Sequence, residues 1–232
     1  MDSSLLIRPI AHIYTDFSDK FGIPRQSGRV RELSGVIEFC EAYRSPEALR
    51  GLEGFSHLWL IFDFSEAHRE GFSPTVRPPR LGGNRRIGVF ASRSPYRPNP
   101  LGLSVVRLER MEETSSRGTL LHVSGVDLLS GTPIYDIKPY LSFADSIPDA
   151  RGGYAEEHVD HRLQVNVSDA LLLRLPQEKR NAVLACLAED PRPSYQEDLR
   201  EYGMRFSGFE IRFTVKGEDL TVTDVYPADK DR

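Results

Sequence analysis

His57-Leu58-Trp59-Leu60-Ile61-Phe62-Asp63-Phe64 holds the longest apolar stretch in the chain, and its reading sets the fold class. A run of this length, rich in aromatic and branched residues and flanked by Ser56 and Ser65, suits a buried strand. It falls far short of the ~18 apolar residues that span a bilayer, and Asp63 interrupts it. Further short runs lie on either side: Leu6–Ile13, Gly35–Phe39, Ile87–Ser92, Leu103–Leu108 and Leu120–Val126, each bounded by Gly, Pro, Ser or Arg. Many short strands with long irregular connections favour a mainly β fold, a closed or nearly closed β-barrel, over a doubly wound sheet. Between them Ser45 can cap a short helix with Pro46 first and Glu47 in its first turn, ending near Gly51.

After about Arg151 the pattern changes. Arg162–Val167 alternates like a strand, and Pro176–Glu189 has Val183, Leu184 and Leu187 on one helical face, with Cys186 beside them as a core residue. Phe209–Val215 and Leu220–Tyr226 form a hairpin around Lys216-Gly217-Glu218-Asp219. The expected organisation is a barrel domain over residues 1–153 and a small α+β domain over 154–232.

The 232 residues are 39% hydrophobic and 28% charged, enough for one domain with a smaller appendage. Mean hydropathy is −0.39. Met1 is followed by Asp2, Ser3 and Ser4, so no signal peptide is expected. Cys40 and Cys186 give neither a disulfide framework nor a thiolate metal cage. The chain reads as soluble and cytoplasmic.

The net charge of −4 is unevenly spread. Gly71–Leu108 has no Asp or Glu but carries Arg77, Arg80, Arg85, Arg86, Arg93, Arg97 and Arg107, a charge of +7 that leaves −11 for the remainder. Such a stretch serves a phosphate- or carboxylate-bearing partner, or is a solvated loop whose arginines pair with the acidic remainder. Pro74, Pro78, Pro79, Pro95, Pro98 and Pro100 fall within it, restrict φ and display the arginines on a semi-rigid frame.

Familiar cofactor signatures are missing. No G-x-G-x-x-G follows a strand, and there is no P-loop or G-x-S-x-G elbow. Leu81-Gly82-Gly83-Asn84 reads as a turn. His158 and His161, near Glu157 and Asp160, lack a third clustered ligand, so no metal site is expected.

The clusters that remain carry a resemblance. Pro24-Arg25-Gln26, Leu52-Glu53-Gly54-Phe55-Ser56-His57-Leu58-Trp59, Arg77-Pro78-Pro79-Arg80-Leu81-Gly82-Gly83, Arg93-Ser94-Pro95 with Arg97-Pro98-Asn99-Pro100-Leu101-Gly102, Gly131-Thr132-Pro133, and Asp136-Ile137-Lys138-Pro139-Tyr140 together resemble the TrmO family, also called TsaA-like or YaeB-like. The resemblance is close over roughly residues 5 to 145, and Asp190-Pro191-Arg192-Pro193 with Tyr195 extends it into the appendage. It implies an S-adenosylmethionine-dependent methyltransferase on a β-barrel, working as a homodimer. The implied substrate is tRNA, methylated on N6 of the threonylcarbamoyl-adenosine beside the anticodon. Neither DNA nor a membrane is an implied partner.

Carried over residue by residue, the implied cofactor contacts are Pro24, Arg25 and Gln26, then Arg93 and Leu103, then Leu129, Ser130, Gly131, Thr132 and Pro133. Another falls just after the Trp59 strand, where relatives often have a histidine and this chain has Ser65 and Glu66. Ser130 stands where an Asp is common.

The ligand chemistry fits these types. Arg25, Gln26 and Arg93 suit a carboxylate, while the 129–132 backbone suits a base edge. Methyl transfer from a sulfonium needs positioning more than a strong nucleophile. The acceptor N6 bears a carbonyl substituent, so a modest base is enough to take its proton. Asp136, Lys138 and Tyr140 share one strand face by alternation and are the candidates for that base or for orienting the acceptor; Asp136 and Lys138 could equally pair while Tyr140 packs. Arg77, Arg80, Arg85, Arg86 and Arg97, with Arg192, are expected to meet the phosphates of an anticodon stem-loop, while Tyr96 and Tyr195 offer rings. The rival readings are a non-catalytic β-barrel RNA-binding module and a small-molecule methyltransferase.

Overall fold

The computed structural model describes residues 5–78, 85–158, 161–192 and 200–228. From the N-terminus, β1 (Ala11–Thr15), β2 (Ser34–Phe39) and β3 (His57–Asp63) lead into a small ribbon of β4 (Thr75–Val76) and β5 (Ile87–Gly88). The next three strands are β6 (Leu101–Thr114), β7 (Gly118–Ser124) and β8 (Thr132–Pro139). Six of these strands close into an antiparallel barrel in the order β1-β2-β7-β6-β3-β8.

Side-chain alternation sorts each strand. Leu58, Leu60 and Phe62 of β3 point inward with Ile13, Ile37, Val106, Leu121 and Ile134, all buried. A Cβ at Gly102 would sit 2.1 Å from the Phe62 ring, so only glycine lets β6 pass that close. The outer face is set by register: Leu103, Ile61 and Asp136 form one row across β6, β3 and β8, and Val105, Trp59 and Lys138 form the next. Ile61 faces Asp136 while Phe62 faces Ile134, so Tyr135 is the extra residue of a bulge.

A short α1 (Ser142–Asp145) leaves the barrel. The C-terminal unit then comprises β9 (Gln164–Asn166), α2 (Asp169–Leu172), α3 (Gln177–Ala188) and the strands β10 (Tyr202–Phe206), β11 (Phe209–Lys216) and β12 (Asp219–Pro227). Its sheet runs β10-β11-β12-β9, with β9 parallel to β12. α3 buries Ala182, Val183, Cys186 and Leu187. Burial, with the nearby charges of Glu189, Asp16 and Glu32, pushes the Cys186 thiol far up, as suits a core cysteine.

One apolar core joins barrel and C-terminal unit through the segment after β1. Phe17 meets Phe206 edge-on at 5.2 Å, and Phe21 stacks on Tyr202 and Phe213. Lys179 of α3 donates to both oxygens of Asp16 at 2.7 Å.

Several sequence expectations need correction. Residues 5–10 are not strand, and Leu5 and Leu6 are exposed; without an inward partner their apolar pattern builds nothing. Ile87–Ser92 keeps only two strand residues before a 3-10 turn over Val89–Ala91. The expected helix after Ser45 is a 3-10 turn, Pro46–Leu49, and Ser45 makes no side-chain cap bond. β6 runs six residues past Leu108, and β10 was not expected at all. Among the described residues no helix is long and apolar enough to cross a membrane.

Candidate functional site

Four of the expected cofactor segments converge on a residue outside the expected set, Asp127. Its carboxylate accepts a 2.7 Å hydrogen bond from the Ser104 hydroxyl, beside Leu103. The Ser27 backbone N–H, next to Gln26, also donates to it, and the Arg93 charge acts on it. Leu128 and Leu129 follow it directly. Burial pushes the Asp127 carboxyl up to about 6, although Ser104, the N–H groups of Asp127 and Ser27, and Arg93 all pull the other way.

The first segment lies beside the start of β6, which β7 pairs only from Arg107 onward. Gly28 N–H donates to the Gly125 carbonyl at 2.8 Å, and Val105 N–H donates to Ser27 Oγ at 3.2 Å. Pro24 is buried, Arg25 is exposed, and Gln26 accepts from the Arg93 guanidinium. Arg25 in turn donates to the Arg192 carbonyl at 3.0 Å. Arg25, Gln26, Arg93 and Asp127 therefore gather in one polar cluster, with the exposed Leu103 next to Ser104 beside it.

The Leu129–Pro133 turn is largely committed to the fold. The N–H groups of Ser130, Gly131 and Thr132 donate to Phe17, Ile13 and Leu129 carbonyls, and the Thr132 hydroxyl also donates to Leu129. Ser130 Oγ accepts from Thr15 N–H at 3.2 Å. These three N–H groups are therefore taken by the fold, which leaves other backbone groups of the 129–132 turn to meet a base edge. Ser65 and Glu66 flank the other side, where Lys20 pairs with Glu66 at 3.0 Å. A histidine does reach this corner: His68 Nε2 lies 2.7 Å from Asp63 Oδ1. The bulge aims Tyr135 at the same carboxylate, and burial, then the Asp63 charge and hydrogen bond, raise its phenol.

Asp136, Lys138 and Tyr140 share the outer face as alternation predicts. Asp136 and Lys138 pair at 2.8 Å, Asp136 also accepts from Ile137 N–H, and Tyr140 packs against His57 and Trp59. Across Ile61, Asp136 lies two strands from Leu103, roughly 10 Å at the usual inter-strand spacing.

The expected RNA residues divide. Arg77, Arg85 and Arg86 are exposed and make no ion pair with any described residue. Arg97 donates to the Ser92 carbonyl at 3.1 Å, so it also braces its own turn. Tyr96 carries the Arg69 guanidinium 3.7 Å above its ring. Arg192 is already paired: Asp190 binds its guanidinium at 2.8 and 2.9 Å in a poorly exposed pair. Arg80 and Tyr195 lie outside the described residues. The open hollows over α3, near Leu172 and Arg180, and beside β9, near Val165 and Leu184, include none of these residues. Among the described residues no group of three or more His, Cys, Asp or Glu could hold a metal ion.

The family model described as the tRNA-methyltransferase O N-terminal domain matches residues 12–146, and the TrmO C-terminal domain matches 160–228. The chain belongs to the tRNA-methyltransferase O family. A tRNA (adenine(37)-N6)-methyltransferase of Escherichia coli is 40% identical over 97% of this chain and 99% of its own. A Pseudomonas aeruginosa relative, named as a candidate S-adenosylmethionine-dependent methyltransferase, is 42% identical over 96% of this chain and 98% of its own. A crystal structure of TrmO from P. aeruginosa superposes with a TM-score of 0.79 at 36% identity, covering 98% of this chain and 99% of that one. That TrmO likeness spans barrel and C-terminal unit alike.

Asp127 escaped the sequence reading because its partners are far away in the chain. Only the Val126-Asp127-Leu128 setting, a lone carboxylate between residues that proved buried, signalled it.

Proposed function

We infer that this chain is an S-adenosylmethionine-dependent tRNA methyltransferase acting on N6 of adenosine 37, in the form that bears a threonylcarbamoyl group. Family membership gives the reaction, and the convergence of Arg25, Gln26, Arg93 and Leu103 around Asp127 is the structural observation that carries it.

The residues fit the donor. Its methionine end is a zwitterion: Arg93, steadied by Gln26, suits the carboxylate, and Asp127 suits the ammonium. The exposed Leu103 and the 129–133 turn offer apolar surface to the purine. When bound, S-adenosylmethionine supplies an electrophilic methyl group on a sulfonium. The remaining task of the protein is alignment, because transfer requires acceptor and methyl at near-attack distance. Asp136, in the same row as Leu103, and Lys138, in the next, are the residues to orient the acceptor or take its proton, with Tyr140 beside them. Arg77, Arg85 and Arg86 meet the stem-loop phosphates.

The finer reading is a cytoplasmic homodimer. Leu101 on β6 and Phe143 and Ile147 just after the barrel are exposed apolar side chains, of the kind a second copy would cover. Light scattering on a sizing column tests the oligomer.

The decisive experiment incubates the purified protein with S-adenosylmethionine and tRNA carrying threonylcarbamoyl-adenosine, followed by nucleoside mass spectrometry. A gain of one methyl group on that nucleoside is expected. RNA binding without methylation supports the non-catalytic module, and methylation of small molecules alone supports the other rival.

A further inference from the structure

We propose that Phe72 and Phe90 form a stacking platform for unpaired bases of the RNA, an inference that rests on the function just given and adds a subsite to it. Their rings stack with centroids 6.3 Å apart and planes 26° from parallel. Phe72 is 54% exposed and Phe90 is 74% exposed. A single exposed aromatic residue is ordinary, but a stacked and solvated pair in fixed geometry is not.

The frame beneath the pair is rigid. Phe72 precedes β4 and Phe90 follows β5, and Val89 N–H donates to the Pro74 carbonyl at 2.9 Å to hold the two ends together. Val89 itself is buried, and the Ser92 hydroxyl donates to its carbonyl at 2.8 Å. Phe90 is therefore anchored through its neighbour while its own ring faces solvent.

The surroundings choose the occupant. Arg77 and Arg86 continue the same β4–β5 ribbon beyond its Val76–Ile87 pair, at the end away from the rings, with Arg85 next to them, in a stretch from Gly71 to Leu108 that contains no acidic residue. Apolar faces at one end of a ribbon whose other end carries guanidinium groups with no ion pair to any described residue match a single-stranded nucleic acid, whose bases stack while its phosphates take the charge. A duplex hides its base faces and would gain nothing from the rings. Phe90 also lies three residues before Arg93, at most ~11 Å along an extended chain. A nucleotide presented to the methyl donor would thus leave its unpaired neighbours within reach of the platform. Tyr96 is less suited, because Arg69 already covers one face of its ring.

The test uses the full chain and an anticodon stem-loop RNA. Phe90→Ala, alone and with Phe72→Ala, is expected to weaken stem-loop binding at least about fivefold, with the salt dependence unchanged because no phosphate contact is removed. Calorimetry should show unaltered S-adenosylmethionine affinity. Phe90→Trp should restore RNA binding, and its emission, measured against the parent with Trp59 alone, should be quenched by the stem-loop but not by a fully paired duplex. Unchanged RNA affinity in the double variant overturns the proposal, as does a loss of S-adenosylmethionine affinity, which would put the rings under the cofactor's purine. Both outcomes are separate from a parent protein that fails to methylate tRNA, which would instead sink the function.

Discussion

Ser104 Oγ donates to Asp127 Oδ1 at 2.7 Å, so an inward residue of β6 holds the carboxylate on which the polar cluster converges. With that carboxyl raised by burial to about 6, the folded chain keeps its proton between pH 4 and 6 where the unfolded chain has lost it. Stability therefore falls as pH rises through this window. Asp127→Asn keeps an acceptor for Ser104 and stays neutral. It should match the parent in urea unfolding near pH 4 and exceed it at pH 7 by up to about 3 kcal/mol. Its affinity for S-adenosylmethionine should nevertheless drop. A variant that is less stable at pH 7, or that binds the cofactor equally well, contradicts this account.

Arg93 donates to Gln26 and faces Asp127, so its loss removes a carboxylate contact and frees a neighbour at once. Arg93→Ala should weaken S-adenosylmethionine binding by about ten- to a hundredfold in calorimetry, the range for a charge-assisted hydrogen bond. Gln26→Ala should cost less, because the guanidinium remains. Equal losses in both variants would mean that the pair acts only as a structural strut.

Arg85 and Arg86 stand free of ion pairs with any described residue. Replacing both with Ala should reduce the slope of log K against log salt for tRNA binding by about 1.4 to 1.8, while cofactor affinity holds. An unchanged slope would exclude them from the phosphate contacts.

The barrel was legible where strands alternate or run apolar, as in β2, β3 and β7. What stayed hidden depended on distant partners. Leu6 carries a strand pattern that no neighbour accepts, while β6 extends through Glu109, Glu112 and Glu113 because β7 pairs with it to Thr114. β10 was missed although Ser207 and Gly208, both at positive φ, make the kind of tight turn that joins it to β11. The segments expected to meet the cofactor stand out by their motifs, but the carboxylate that gathers them does not, since Ser27 and Ser104 reach Asp127 only through the closure of the barrel. Nor did the motif at Arg192 show that Asp190, two residues earlier, pairs with its guanidinium.

Arg192→Ala tests that pairing. Burial alone would raise the Asp190 carboxyl, but the hydrogen bonds and charge of Arg192, helped by His161, hold it below its ordinary value. Its contribution to stability is present above about pH 4 and disappears as pH falls through the depressed value. Removing Arg192 strands a poorly exposed charge and should cost about 3 kcal/mol at pH 7, with the gap to the parent closing in acid. The salt dependence of tRNA binding should not move; a flatter slope would place Arg192 on the RNA surface.

Gly22 packs the segment that leads into Pro24-Arg25-Gln26 against the C-terminal sheet. Its φ is +94°, and a Cβ there would lie 2.4 Å from the Met204 sulfur of β10. Phe21 beside it is stacked on Tyr202 and Phe213, so the chain entering Pro24-Arg25-Gln26 is shaped by the C-terminal unit rather than by the barrel. Gly22→Ala adds both backbone strain and a clash, and Met204 can yield only by shifting within a buried site. The expected result is a loss of stability of about 1–3 kcal/mol, together with weaker S-adenosylmethionine binding because Arg25 and Gln26 are displaced. Adding Met204→Ala removes the clash but leaves the positive φ, so the double variant should recover cofactor affinity more than stability. If the single variant is destabilised yet binds the cofactor as the parent does, the C-terminal unit supports the fold without setting the geometry of the first loop.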